Sequence, residues 1–261
     1  MATKKMALIT GASSGIGYEL AKIHAAHGDN LILVARSEGK LNELAENLRK
    51  NQGISVTVIA ADLSELNAPK ALFDKVQAQQ LQVDYLINNA GFGDYGKFVE
   101  TDWEKEKQMI QLNITALTEL TKLFLPQMVE KKYGKIMNVA STAAFQPGPL
   151  MAIYYATKSY VLHFSEAINN EVAEFGVSVT ALCPGATESG FQSAAQMEDS
   201  KLVKGKKLPS SKEIAQFGFN AMMRGKEVAI PGFMNKLMVF FLRFTPRSWV
   251  VKLVRKIQDR K

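Results

Sequence analysis

The chain has one cysteine, Cys183, and only three histidines. A lone thiol excludes an intrachain disulfide and gives no sign of an oxidising compartment. His24 and His27 fall in one predicted helix with no cysteine or carboxylate cluster beside them, so no metal site is expected. Long apolar runs are missing too: nothing approaches the ~18 residues that a transmembrane helix needs. The opening MATKKMALITG passes from a short apolar run straight into a glycine turn, which reads as a first strand and not a signal peptide. Linkers, low-complexity tracts and internal repeats are absent. Charge imbalance is almost absent as well. The formal +7 lies wholly between Ile230 and Lys261, where eight basic residues face one acid, Asp259.

What is present suits one large core: 47% of the 261 residues are hydrophobic and 22% are charged. Apolar, β-branched runs at 6–10, 30–35, 55–61, 83–88, 135–140, 177–183 and 227–230 predict strands. Helical patterns lie between them near 15–28, 38–52, 64–80, 102–131, 154–175 and 211–224, the last opened by the capping-box pair Ser210 and Glu213. Near-continuous apolar strands alternating with helices predict a single-domain, doubly wound parallel α/β sheet of about seven strands over 1–232, covered on both faces. Residues 233–261 form a basic helical tail and not a second domain. Segment 186–209 has little periodicity and follows a strand end, where such sheets place ligands.

LITGASSGIGYELA puts Gly11, Gly15 and Gly17 between the first strand and the first helix. Glycines there allow a tight turn and close approach of backbone to a pyrophosphate on the helix N-terminus. The spacing is Gly-x-x-x-Gly-x-Gly, which differs from the usual dinucleotide fingerprint. The second strand ends in Ala35, Arg36 and Ser37, where an NAD site would place an acid. An arginine fork beside a hydroxyl suits a 2′-phosphate, so NADP(H) is the expected cofactor.

AIYYATKSY places Tyr154 four residues and Tyr155 three residues before Lys158. Helix geometry permits either phenol to neighbour the lysine. A phenol with a pKa of about 10 exchanges protons poorly near neutrality, and an adjacent ammonium would lower that pKa. Asn113 lies in the middle of a predicted helix, Ser141 at a strand end, and Asp62 after an apolar strand, where it could cap the next helix. Cys183 reads as a buried, inert thiol.

TGASSGIG at 10–17, ADL at 61–63, NNAG at 88–91, Asn113, Ser141, YYATK at 154–158 and Pro184-Gly185 occur in that order. Together they resemble the short-chain dehydrogenase/reductase family, over residues 6 to about 232. The resemblance implies a Rossmann-type fold. It also implies a nucleotide site formed by Gly11, Ser13, Ser14, Gly15, Ile16 and Gly17, by Asp62 and Leu63, by Asn89, Ala90 and Gly91, and by Pro184 and Gly185. The same likeness gives a tetrad of Asn113, Ser141, Tyr154 and Lys158, with Tyr154 chosen because the family's lysine follows four residues after its tyrosine. Tyr154 and Lys158 also face the cofactor, Asn113 holds a water that feeds Lys158, and Thr187 contacts the nicotinamide. The stretch ATESGF leaves Ser189 as an alternative to Thr187.

In the tail, Leu237, Phe240, Phe241 and Phe244 form one helical stripe, and Val250, Leu253, Val254 and Ile257 form another, with Pro246 between them. These stripes either lie on an anionic bilayer or bury against the domain or a second subunit, and the tail can wall the substrate site. Nucleic acid is not an expected partner: the charge is confined to the tail, whose aromatics read as buried. The expected protein is thus a cytoplasmic NADPH-dependent reductase for a fairly apolar carbonyl or alcohol substrate. A homo-oligomer, dimer or tetramer, is expected, with peripheral contact at the inner membrane face open. The rival readings are a membrane-associated lipid-pathway reductase of 3-oxoacyl or sterol type, and a non-catalytic dinucleotide-binding regulator.

Overall fold

The computed structural model describes residues 4–191, 195, 205 and 207–259. Seven parallel strands form one sheet in the order β3-β2-β1-β4-β5-β6-β7. They are β1 (Met6–Thr10), β2 (Asn30–Ala35), β3 (Val56–Ala60), β4 (Tyr85–Asn88), β5 (Gly134–Val139), β6 (Val177–Leu182) and β7 (Val228–Ala229). The helices are α1 (Gly15–His27), α2 (Glu38–Gln52), α3 (Ala68–Ala78), α4 (Trp103–Ile110), α5 (Leu117–Glu130), α6 (Ala152–Val172), α7 (Ser211–Met223), α8 (Phe233–Leu242) and α9 (Arg247–Gln258).

Both faces of the sheet are covered, which explains why its strands read as unbroken apolar runs. Ala7 and Ile9 of β1 point into the layer holding α1, α2 and α7. Met6 and Leu8 point the other way, toward Leu72 and Val76 of α3 and Phe124 of α5. A buried polar ladder ties the centre together: Asn88 donates to Thr121 Oγ1 (3.1 Å) and to Asn138 Oδ1 (2.9 Å). Asn138 in turn donates to Ser165 Oγ (2.9 Å). β1 pairs with both β2 and β4, so strand order reverses there and a crevice opens beyond the strand ends.

Three elements differ most from expectation before the tail. The helix expected from 64 starts at Ala68, because Asp62 Oδ1 accepts from the backbone and hydroxyl of Ser64 (3.0 and 2.6 Å) and holds a turn instead. Asp62 therefore does not cap α3. The long helix expected over 102–131 is continuous, but a π-helical turn, Gln111–Ala116, separates α4 from α5. The last strand shrinks to two residues. Ser210 and Glu213 do form the expected capping box on α7.

The tail departs most from expectation. It has two helices split at Pro246, yet the first stripe faces outward: Phe240, Phe241 and Phe244 are 53%, 55% and 72% exposed. The reading of buried tail aromatics is therefore corrected. Val239, Met238 and Leu242 carry the inward face of α8, and α9 buries Val250, Val254 and Gln258. A hydrophobic stripe fixes the faces of a helix but not which face meets the domain.

Candidate active site

A cavity of about 1150 Å³ runs from the glycine turn past α6 to the tail helices. Every predicted site residue lines it except Gly17 and Asn113, which stand one layer behind. Part of the expected substrate segment, residues 192–194, 196–204 and 206, falls outside the described residues.

The glycine turn is shaped by its neighbours. Gly11 has φ +66°, and a Cβ there would come within 2.8 Å of the Asn89 amide. Asn89 Nδ2 donates to the carbonyls of Thr10 (2.9 Å) and Gly11 (3.2 Å). Thr10 Oγ1 accepts from the backbone of Asn89 and Ala90 (both 3.0 Å). Thr10, invisible as a site residue in sequence, thus knits the two motifs into one surface. At Gly17 a Cβ would run into the Asn89 amide and the Gly11 carbonyl, so its role is close helix-to-turn packing. Ser14 at the N-cap of α1 makes no side-chain cap, and the first turn carries no acid. Its amides face the crevice uncompensated, which suits an anion.

Arg36 is 79% exposed in its side chain, with Nη1 3.7 Å from Asp62 Oδ2. Burial tends to raise the Asp62 pKa, but hydrogen bonds from Ser64 and the nearby Arg36 charge outweigh it and hold the group below its usual value. The donors of an exposed arginine can swing to a phosphate at little cost.

At the opposite wall, α6 presents Tyr154, Tyr155 and Lys158. Lys158 Nζ donates to Val139 O (2.7 Å) and lies 5.8 Å from the centroid of the Tyr154 ring. Burial of Lys158 lowers its pKa to about 8. Burial also pushes the Tyr154 phenol above its ordinary value, while the neighbouring Ser141 hydroxyl pulls it partly back. Desolvation is the largest influence on the resting phenol. Ser141 caps the short turn Thr142–Phe145, accepting from Ala143 N (3.1 Å) and donating to Pro184 O (3.3 Å).

Asn113 sits in the π-helical turn, a feature that recurs at functional sites. Its amide donates to Phe92 O (3.0 Å) and Thr157 Oγ1 (3.1 Å), and its carbonyl oxygen accepts from Phe92 N (3.2 Å). A Cβ on Gly91 would lie 2.9 Å from Asn113 Oδ1 and 3.5 Å from Lys158 Nζ. Asn113 therefore clamps α6 and the Gly91–Phe92 segment around the lysine.

Tyr155 packs away from this cluster. It is 7% exposed, joins Met151, Val250 and Val254 in one apolar group, and its hydroxyl receives Gln258 Nε2. Tyr160 is 39% exposed, shares a hydrogen bond with Thr118 (3.1 Å) and stacks on Phe164. Thr187 Oγ1 donates to Gly185 O (2.9 Å), and Ser189 Oγ donates to Thr187 O (3.3 Å). Cys183 is fully buried. Among the described residues no cluster could hold a metal ion. Sequence reasoning also missed Gln258 and Tyr95, whose hydroxyl donates to Gln258 O (2.9 Å) and fastens the end of α9 over the site. A tail glutamine separated by 103 residues from its partner tyrosine carries no local signal.

A parallel sheet with a glycine turn at its switch point, facing a serine, tyrosine and lysine cluster, defines a Rossmann-type dinucleotide-binding protein. A family profile described as short chain dehydrogenase matches residues 5–200, and the chain belongs to that family. It is 34% identical over 187 residues to a short chain dehydrogenase of Pseudocercospora fijiensis, covering 71% of this chain and 60% of that protein. It is 33% identical over 184 residues to the very-long-chain 3-oxoacyl-CoA reductase of Anas platyrhynchos, covering 68% and 58% respectively. The chain thus spans about three fifths of the length of these two relatives. A solved short-chain dehydrogenase from Sphingobium yanoikuyae in complex with NADPH is 31% identical with a TM-score of 0.82, covering 94% of this chain and 97% of that one.

Proposed function

We propose that this protein is an NADPH-dependent oxidoreductase moving a hydride between the nicotinamide and a carbonyl or alcohol group of a fairly apolar substrate. The observation that carries this is the position of Tyr154, Ser141 and Lys158 midway along one cavity. One end of that cavity is a glycine-lined crevice, and the other is apolar. The uncompensated α1 amides, the Gly11 approach and exposed Arg36 fit a dinucleotide phosphate, with the relative solved in complex with NADPH as further support. When bound there, NADPH would supply the hydride. The nucleotide would be held by the Gly11–Gly17 turn, Arg36, Asp62, Leu63, Asn89, Ala90, Gly91, Pro184, Gly185 and Thr187.

The chain's own residues then manage the proton. A carbonyl oxygen gaining negative charge needs a donor that is still protonated at neutral pH. Burial keeps Tyr154 in that form. Ser141, beside the same phenol, polarises and orients the carbonyl oxygen. With a pKa of about 8, Lys158 is charged at neutrality and stabilises the phenolate as it forms. Asn113 positions α6 against the Gly91 segment.

Met238 and Leu242 of α8 and Val250, Val254 and Gln258 of α9 wall the cavity, so the inner face of the tail belongs with the catalytic domain. The 3-oxoacyl-CoA relative and this apolar wall favour a lipid-like substrate as the second reading. A homo-oligomer is supported by exposed Trp103 and Tyr160 on α4 and α6 (57% and 39%). Cytoplasmic placement rests on the single, buried cysteine. The test of activity is NADPH consumption across a panel of apolar ketones and aldehydes; consumption with none of them would favour the non-catalytic regulator.

A further inference from the structure

The outward face of the tail is a feature that this chemistry leaves unused. Phe233, Phe240 and Phe241 on the open side of α8, and Phe244 in the turn after it, follow helical spacing, with Met234 beside them (all 53–75% exposed). Trp249, 68% exposed, opens α9. An apolar area of this kind marks an interaction site. Exposed Lys236, Arg243, Arg247, Lys252 and Lys256 flank it, and no acid occurs between Phe233 and Gln258.

We propose that this face docks on an anionic lipid surface, and that substrate enters the cavity from that surface. Charge decides among the occupants. A second copy would set one cationic face against another, whereas anionic headgroups complement it. The phenyl rings pack edge-on, Phe240 against Phe241 at 75° and against Phe244 at 61°, which leaves no run of parallel faces for stacking bases. Apolar rings between cations match the depth profile of a bilayer boundary, with Trp249 at the headgroup level.

The cavity meets the same face. Leu253 and Ile257 of α9 line it yet remain 56% and 39% exposed, so they stand at its rim one and two turns beyond Trp249. Behind them Val250, Val254, Leu242 and Met238 continue the apolar lining toward Tyr154. An apolar ketone dissolved in the bilayer could pass from rim to phenol without crossing water. The delivery step rests on the reductase proposed above; the docking surface does not.

The test uses the full chain with vesicles of phosphatidylcholine alone and of an equal mixture with phosphatidylglycerol. Co-sedimentation is expected with the anionic vesicles only, weakening as salt rises. F240E/F244E/W249E should reduce it at least tenfold, while turnover of a small water-soluble ketone stays unchanged. A second variant, K236Q/R243Q/K252Q, should do the same through charge alone. Anionic vesicles should stimulate reduction of a long-chain ketone by the unmodified protein and not by either variant. Equal sedimentation of all three proteins would overturn the docking surface, as would an oligomer dissolved by F240E/F244E/W249E or binding confined to single-stranded RNA. Vesicle binding with no ketone turned over would overturn the reductase and leave the docking surface standing.

Discussion

Two adjacent phenols on α6 have separate fates. Tyr154 lies beside Ser141 and Lys158, whereas Tyr155 is turned to Gln258 and the tail. Tyr155→Phe should leave turnover within a few-fold of the unmodified enzyme. It should cost about 1 kcal/mol of stability for the lost hydrogen bond, measured by denaturant unfolding. Lys158 gives a pH prediction. Burial lowers its pKa to about 8, so it is charged below that value and loses its charge as pH rises through it. If the ammonium stabilises the forming phenolate, kcat/KM for ketone reduction should be flat near neutrality and fall above pH about 8. Lys158→Met should be slow throughout and lack that limb. Between about 8 and 10.5 the unfolded chain binds the proton that the fold does not, so this group's contribution to stability rises with pH across that window.

Among the elements, the π-helical turn carries the prediction of most consequence. Asn113→Ala would leave the Phe92 backbone amide and carbonyl without their Asn113 partner, while Thr157 would keep its bond to Tyr154 O. Each orphaned buried group costs about 1–3 kcal/mol, and in a chain of this size each kcal/mol lowers Tm by about 2–4 °C. Calorimetry should show that loss, and kcat should fall along with it because α6 is no longer held to the Gly91 segment. An unchanged Tm would mean that the clamp is not structural. Strands and helices were legible because period 2 and period 3.6 are local properties, and the capping box at Ser210 was legible for the same reason. The π turn was not, since nothing in QLNITA distinguishes it from ordinary helix. Outward and inward faces of α8 were not legible either: four aromatic and aliphatic residues at helical spacing look the same whether they meet a core or solvent. Of the site, Tyr154 and Lys158 were readable from short motifs. Thr10 and Gln258 act across 79 and 103 residues and left no local trace.

For the whole molecule, the proposed function ties cofactor choice to one exposed side chain, Arg36, at the far end of the cavity. Replacing Arg36 with alanine removes charge-assisted bonds to a 2′-phosphate, worth about 1.5–3 kcal/mol. KM for NADPH should rise about 10- to 150-fold while that for NADH changes little. An unaltered preference would place phosphate recognition elsewhere. The central claim joins both ends of the cavity: a nucleotide crevice and an apolar pocket meet at Tyr154. Its most direct test is NADPH oxidation by the purified full chain over the ketone panel, run beside Tyr154→Phe of equal folded content. The account predicts turnover of at least one apolar ketone, reduced by about 10²- to 10⁴-fold in Tyr154→Phe with NADPH binding retained. Turnover that survives in Tyr154→Phe and is lost in Tyr155→Phe would contradict it.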